Sequence, residues 1–293
     1  MADRIKWGVL GNATIARKCI IPAIRKSRNG WVYALGTRSP AAADEMVAEN
    51  KIGQVYDNYD AVISDPAVDA VYIPLPNHLH HPLTLKALSA GKHVLCEKPL
   101  ACNVREAREM ADQAAASGAL LMEAFMYRHH PQWQRARQLV RDGAIGRLRT
   151  IQSAFSYYNV DPDNVRNHAD IGGGGLMDIG CYPISLSRFV FETEPVRVSG
   201  ILEQDPDFHV DRLASAILDF GDGISTFTCS MQLSPYQRVN IFGDRGRIEI
   251  EIPFNAPADR PSRLWLQHSA DNIEEIVFEL CDQYTIQAEL FAR

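Results

Sequence analysis

None of the six cysteines (Cys19, Cys96, Cys102, Cys181, Cys229 and Cys281) of this 293-residue chain forms a Cys-x-x-Cys pair, and the chain holds no block of basic residues. Nor does any window approach the roughly 18 apolar residues that cross a bilayer. Each absence closes a class. Scattered cysteines argue against structural zinc and against a disulfide framework, and read as reduced thiols filling a core. The opening MADRIKWGVLG shows no basic region leading into an apolar stretch, so neither a secretory leader nor a membrane span is expected, and the cytoplasm is the expected location. Thirty Lys and Arg against 36 Asp and Glu give a net charge of -6. With no basic run, nucleic acid and anionic membrane are not expected as partners. Internal repeats and low-complexity segments are absent too. An apolar fraction of 46% suits a globular protein with a sizeable core.

What is present falls into two textures. Up to residue 125, short apolar runs alternate with helical patterns: strands over 5–10, 31–36, 68–73, 93–96 and 120–124, and helices over 16–27, 41–50, 82–90 and 103–117. Strands separated by helices of this length predict a doubly wound parallel sheet. From residue 126 onward one helix, over 132–142, leads into period-two alternation at 150–158, 196–202, 213–220, 224–233, 237–242 and 247–252. Gly221-Asp222-Gly223 and Gly243-Asp244-Arg245-Gly246 carry hairpin-turn chemistry. The expectation is α/β plus α+β: a Rossmann domain over 1–125 and a mostly antiparallel domain over 126–293. The chain stops inside an amphipathic pattern that begins near Asp282 and has no C-cap signal, so this last helix reads as unfinished.

Gly11-Asn12-Ala13-Thr14-Ile15-Ala16 lies where the first strand hands over to the first helix. It keeps one glycine of the G-x-G-x-x-G fingerprint and puts alanine, the smallest replacement, at the other two places. A pyrophosphate could still approach the backbone and the positive end of the helix. At the end of the second strand a carboxylate would favour NAD; Thr37-Arg38-Ser39 offers two hydroxyls and a guanidinium that suit the 2′-phosphate of NADP. NADP is the expected cofactor, with NAD the second choice. Asn77 and His80 follow the third expected strand, where a cofactor ribose should lie. The runs Asn77-His78-Leu79-His80-His81 and His129-His130 are completed by no carboxylate or cysteine at ligand spacing, so no metal site is expected.

Four ordered stretches resemble the family of glucose-fructose oxidoreductase and inositol 2-dehydrogenase (Gfo/Idh/MocA). They are the loop at Gly11, VDAVYIPLPNHLHHP from Val68, GKHVLCEKPLA from Gly91 and GGGGLMDIGCYPISL from Gly172. The likeness covers nearly the whole chain. It implies that Lys98 of the Glu-Lys-Pro motif serves beside the nicotinamide and the substrate, with the bond to Pro99 often cis. It adds Pro74, Leu75, Glu97 and Arg128 to the cofactor residues. Where the family's second-domain motif usually reads Asp-x-x-x-His, this chain reads Asp178-x-x-x-Tyr182, similar to the D-xylose dehydrogenase and dimeric trans-dihydrodiol dehydrogenase branch. The likeness thus makes Lys98, Asp178 and Tyr182 the catalytic candidates; Arg166 and Asn167, by their place just before the glycine run, are further candidate substrate contacts.

The chemistry is coherent: an alcohol surrenders a proton as its hydride leaves, and a phenol with an ordinary pKa of about 10 acts as base only when a nearby cation such as Lys98 eases its ionisation. Asp178 would hold a substrate hydroxyl or orient the pair. An aldose such as D-xylose, oxidised at C1 to the lactone, is the expected substrate, with a trans-dihydrodiol or a deoxy-keto sugar as alternatives. The alternative of another class is a catalytically silent NADP-binding sensor. A homodimer or higher oligomer through the second-domain sheet is implied, and Phe227, Cys229, Met231 and Leu233, if outward, would give it an apolar patch.

Overall fold

The computed structural model describes residues 4–269 and 271–293. The chain divides into two units, one running through Met126 and including Tyr284–Arg293, the other spanning Tyr127–Gln283.

In the first unit, short apolar segments bury on both faces and pair in parallel, as a sheet covered by helices requires. The strands are β1 (Ile5–Leu10), β2 (Gly30–Gly36), β3 (Gln54–Tyr56), β4 (Ala70–Ile73), β5 (His93–Cys96) and β6 (Leu121–Glu123), in the order β3-β2-β1-β4-β5-β6. The helices are α1 (Ile21–Lys26), α2 (Asp44–Asn50), α3 (Tyr59–Ser64), α4 (His80–Ser89) and α5 (Val104–Ser117). Strand order reverses between β1 and β4, which opens a crevice at their carboxyl ends. The helix expected over 16–27 is a π-turn at Ala16–Ile20 running into α1. The sequence pattern does not reveal β3 or α3. β3 is a three-residue edge strand, and α3 is a short helix set by a cap, the Asn58 side chain accepting the Ala61 N–H at 2.8 Å. Residues from the far end of the chain complete this core. In helix α8 (Gln283–Phe291), Ala288 and Phe291 are buried, and the Phe291 ring lies 4.8 Å from Trp7. Residues 284–293 therefore join the first unit rather than the second, because Trp7 presents an apolar surface that they cover.

The second unit holds α6 (Pro131–Arg141), β7 (Leu148–Tyr158), α7 (Cys181–Phe191), β8 (Arg197–Gln204), β9 (Asp211–Asp219), β10 (Ile224–Ser230), β11 (Gln232–Gly243), β12 (Arg247–Ile250), β13 (Ser262–Ser269) and β14 (Asn272–Phe278). Its sheet runs β14-β13-β12-β11-β7-β10-β9-β8 and is antiparallel except where β7 meets β10. Both expected hairpins form, β9 to β10 and β11 to β12. The strand expected over 224–233 is broken at Met231, and the pattern missed β13 and β14, since β14 lies at the edge with Glu274 and Glu275 exposed amid its apolar residues. Phe227, Cys229 and Met231 face inward and are buried, so the apolar patch expected of them does not exist; only Leu233 is exposed. Cys229 and Met231 pack against the chain at Gly180 and Gly175. The outer face instead presents Thr226, Thr228, Ser215, Gln152, Asn240 and Arg238, with Ile201, Ile217 and Tyr236 exposed among or near them.

Among the described residues, no helix is long and apolar enough to cross a membrane, and no group of three or more His, Cys, Asp or Glu is placed to hold a metal ion.

Burial of histidines ties this fold to pH. His130 caps α6, its Nδ1 accepting the Gln132 N–H at 3.1 Å, while its Nε2 lies 3.2 Å from Cys281 Sγ. Burial lowers its pKa from the ordinary 6.5 to about 4, and burial also lowers His80 and His129. Because each folded pKa lies below the unfolded one, the unfolded chain takes up protons first. Stability is full above the unfolded value and is lost as pH falls through the interval beneath it. Asparagine would keep the cap without the titration. His130→Asn is therefore expected to lose less melting temperature than the parent between about pH 7.5 and pH 5, measured by thermal melts at both.

Candidate functional site

In the first unit, Gly11 has φ +109°, a left-handed conformation, and its N–H donates to Gly36 O at 2.7 Å. A Cβ there would stand 2.7 Å from Leu75 Cδ2, so this glycine is required while Ala13 and the buried Ala16 are tolerated. The helical stretch that follows begins at Thr14, and the first N–H groups of a helix have no partner within it. The Asn12 side chain reaches across to Ala42 O at 3.0 Å, tying this loop to the segment after β2, and its buried Oδ1 has no hydrogen-bond partner. Thr37 is buried, with Oγ1 accepting the Ser39 N–H at 3.3 Å, while Arg38 and Ser39 are exposed. Glycine, helix start and exposed guanidinium make a cradle that fits a dinucleotide phosphate.

The loops after β4 and β5 are held by buried polar bonds. Pro74 is buried, while Leu75, Asn77, Glu97 and Lys98 are half-buried, and the Lys98–Pro99 bond is cis. Tyr72 donates to Glu97 Oε1 at 2.7 Å; burial, with Glu97 beside it, lifts the phenol well above its ordinary pKa. His80, expected at a ribose, is 0% exposed, its Nδ1 2.8 Å from Pro99 O and its Nε2 2.7 Å from Leu75 O. It cannot reach a ligand. Its ring instead joins the two loops on which Leu75 and Lys98 sit. His80→Phe keeps the bulk and removes the ring N–H that a buried carbonyl accepts, and is expected to cost about 1–3 kcal/mol in a denaturant titration.

In the second unit a π-turn at Leu176–Gly180 leads directly into α7, and the two carry Asp178 and Tyr182. Asp211, at the start of β9, aims this helix: its Oδ2 accepts the Leu176 N–H at 2.5 Å. Burial pushes the Asp211 carboxyl up, opposed by the N–H groups it accepts. The glycine run permits the approach. Gly174 has φ +114°, and a Cβ there would lie 2.2 Å from Asp211 Oδ1.

Asp178 is 12% exposed on its side chain; its Oδ2 accepts both Tyr157 Oη at 2.6 Å and Arg166 Nε at 2.8 Å. Arg166 holds its proton more tightly than usual, chiefly because of Asp178, and feels the fields of Tyr157 and Tyr182 as well. Tyr182 is buried, its ring 5.1 Å from Phe254, 5.5 Å from Phe155 and 5.8 Å from Tyr127.

The structure thus gathers Asp178, Tyr182 and Arg166. Asn167 is buried beside them, its amide nitrogen donating to Asp161 O at 2.8 Å and bracing its own loop, while its Oδ1 has no hydrogen-bond partner. Arg128, expected at the cofactor, belongs to the second unit, with its guanidinium 4.8 Å from the centre of the Phe189 ring. Tyr157, Asp211 and Tyr72 escaped the sequence reading. Tyr157 was visible only as the last inward position of β7, after Ile151, Ser153 and Phe155, where a polar tip emerges from a core.

A parallel sheet with a dinucleotide cradle, followed by an antiparallel sheet backing a phenol, a carboxylate and a guanidinium, defines a nicotinamide-dependent oxidoreductase. The chain belongs to the GFO/IDH/MocA family: residues 5–125 match the oxidoreductase family with an NAD-binding Rossmann fold, and residues 133–249 match the GFO/IDH/MocA C-terminal domain. It is 41% identical to an uncharacterized oxidoreductase of Rhizobium meliloti, covering 99% of this chain and 88% of that protein. It is 36% identical to D-xylose 1-dehydrogenase (NADP(+)) 2 of Haloferax volcanii, covering 98% of this chain and 88% of that protein. Among solved structures, a 3-ketoreductase from Actinomadura kijaniata in complex with NADP and TDP-benzene superposes with a TM-score of 0.92 at 31% identity, covering 99% of this chain and 89% of that one.

Proposed function

We propose that this protein is a cytoplasmic, NADP-dependent dehydrogenase that oxidises an aldose such as D-xylose at C1 to the lactone. The observation that carries the reading is the gathering of Tyr182, Asp178 and Arg166 behind one sheet, in a chain whose other unit bears a phosphate cradle with no carboxylate among Thr37, Arg38 and Ser39. Similarity to an NADP(+)-dependent D-xylose 1-dehydrogenase supports the substrate and the cofactor together. A second reading, reduction of a deoxy-keto sugar, is supported by the likeness to the 3-ketoreductase. A trans-dihydrodiol is the remaining substrate candidate. A silent sensor is the least favoured, since a site without chemistry has no use for this cluster.

The Gly11 loop would hold the pyrophosphate, and Arg38 with Thr37 and Ser39 the 2′-phosphate. When bound, the cofactor supplies the hydride acceptor. Tyr182 takes the hydroxyl proton in oxidation and returns it in reduction; Lys98 of the Glu-Lys-Pro motif is the candidate beside the nicotinamide in the first unit. Asp178 accepts a hydrogen bond from the sugar and orients it.

The test is absorbance at 340 nm with NADP or NAD against a panel of aldoses, keto sugars and cyclic diols. D-Xylose turnover with NADP is expected, and Tyr182→Phe should lower kcat at least about 100-fold with cofactor binding intact. Absence of turnover with every substrate, despite NADP binding, would leave the sensor reading. Arg38→Ala should raise the KM for NADP about tenfold or more and leave that for NAD nearly unchanged.

We further propose that two copies pair through the outer face of the second-unit sheet. Ile201, Ile217 and Tyr236 are exposed on that face, beside charges of both signs such as Arg238 with Glu249 at 3.4 Å and Arg263 with Glu275 at 3.2 Å. Sedimentation velocity should show a dimer at micromolar concentration, which Ile217→Lys reduces to monomer; a monomeric parent would refute this assembly.

A further inference from the structure

We propose that Tyr157 and Arg166 fix Asp178 as the acceptor for a hydroxyl on the carbon next to the reacting one, so that the site selects vicinal diols. The inference rests on the reading of the second unit as the sugar site and adds a substrate requirement and a positioning residue to it.

Two donors converge on one oxygen of Asp178, the Tyr157 hydroxyl at 2.6 Å and Arg166 Nε at 2.8 Å. Bonds of this kind orient the carboxylate and favour its charged form. A charged carboxylate only accepts, so a substrate group facing it must donate. A guanidinium only donates, so the group facing it must accept. A pair of hydroxyls on adjacent carbons satisfies both at once: one donates to Asp178 and the other, or the carbonyl it becomes, accepts from Arg166.

Arg166 is also placed with unusual care for a half-exposed residue. Its carbonyl accepts the Gly174 N–H at 2.9 Å, and its own N–H donates to Asn164 Oδ1 at 3.1 Å. At Gly173 a Cβ would come 2.5 Å from Arg166 O, so the glycine run that approaches Asp211 also seats this arginine. Arg166, its side chain 44% exposed, is thereby set against a carboxylate that is only 12% exposed. Tyr157 touches Asp178 through its hydroxyl, so Tyr157→Phe deletes the orienting bond and keeps the ring.

The experiment compares D-xylose with 2-deoxy-D-xylose on the full chain with NADP. It measures kcat and KM by absorbance and, separately, sugar affinity by calorimetry, for the parent, Tyr157→Phe, Arg166→Lys and Tyr182→Phe, after thermal melts confirm that each variant folds. The parent should favour the 2-hydroxy sugar about 10- to 100-fold in kcat/KM and in affinity, the range of a charge-assisted hydrogen bond. Tyr157→Phe should collapse that preference by weakening D-xylose while barely changing the deoxy sugar, whereas Arg166→Lys should weaken both sugars, since both keep the reacting oxygen that faces Arg166. Tyr182→Phe should abolish turnover of both and preserve the preference in affinity. Equal handling of the two sugars by the parent, or an undiminished preference in Tyr157→Phe, would overturn the proposal. Discrimination in affinity without any turnover would support the diol site and reject the dehydrogenase reading.

Discussion

The second unit is organised around a close approach of two backbones, where the glycine run at 172–175 passes the start of β9. With no side chain at Gly174, the Asp211 carboxylate reaches the first N–H groups of the helical segment that carries Asp178 and Tyr182. The segment's angle of entry, and with it the direction in which both side chains leave the helix, follows from that contact. The same run binds the carbonyl of Arg166, so three side chains of the candidate site share one anchoring feature made almost wholly of backbone. Glycine is used here for proximity as much as for conformational freedom.

The first unit solves a similar problem by other means. Its loops at the carboxyl ends of β4 and β5 carry the residues proposed to meet a cofactor, and loops are ordinarily the more mobile parts of a fold. Two buried side chains restrain them: Tyr72 from within the sheet, bonded to Glu97, and His80 from the start of α4, its two ring nitrogens lying against Leu75 O and Pro99 O. Polar groups buried in this way are costly unless satisfied, and their satisfaction makes alternative loop positions expensive.

How far the sequence could be read follows the range of the interactions involved. The strands β1, β2, β4 and β5 were visible because each is an apolar run bounded by turns, and the second sheet because its alternation is local. Asp178, Tyr182 and the Gly11 loop were visible because a motif is also local. Tyr157 and Asp211 were not, because each acts on a residue 21 or 35 positions away, and nothing in the neighbouring sequence marks that partnership. His80 and Asn167 show bracing contacts within the protein that their spacing did not reveal. A polar residue near a site faces it or braces it according to side-chain direction, which spacing alone leaves open. The inward turn of Phe227, Cys229 and Met231 was a similar ambiguity, since period-two alternation defines two faces without saying which is covered.

Ala288 and Phe291 lie in the core around Trp7, although the whole second unit separates them in sequence from the rest of that core. On a ribosome the nucleotide-binding sheet would emerge first, yet part of its apolar surface would remain uncovered until after residues 127–283 had been made. The second unit, continuous in sequence, faces no such wait. Order of synthesis and order of completion are therefore reversed in this chain, and the early-emerging sheet is the part that most needs protection from association while translation continues.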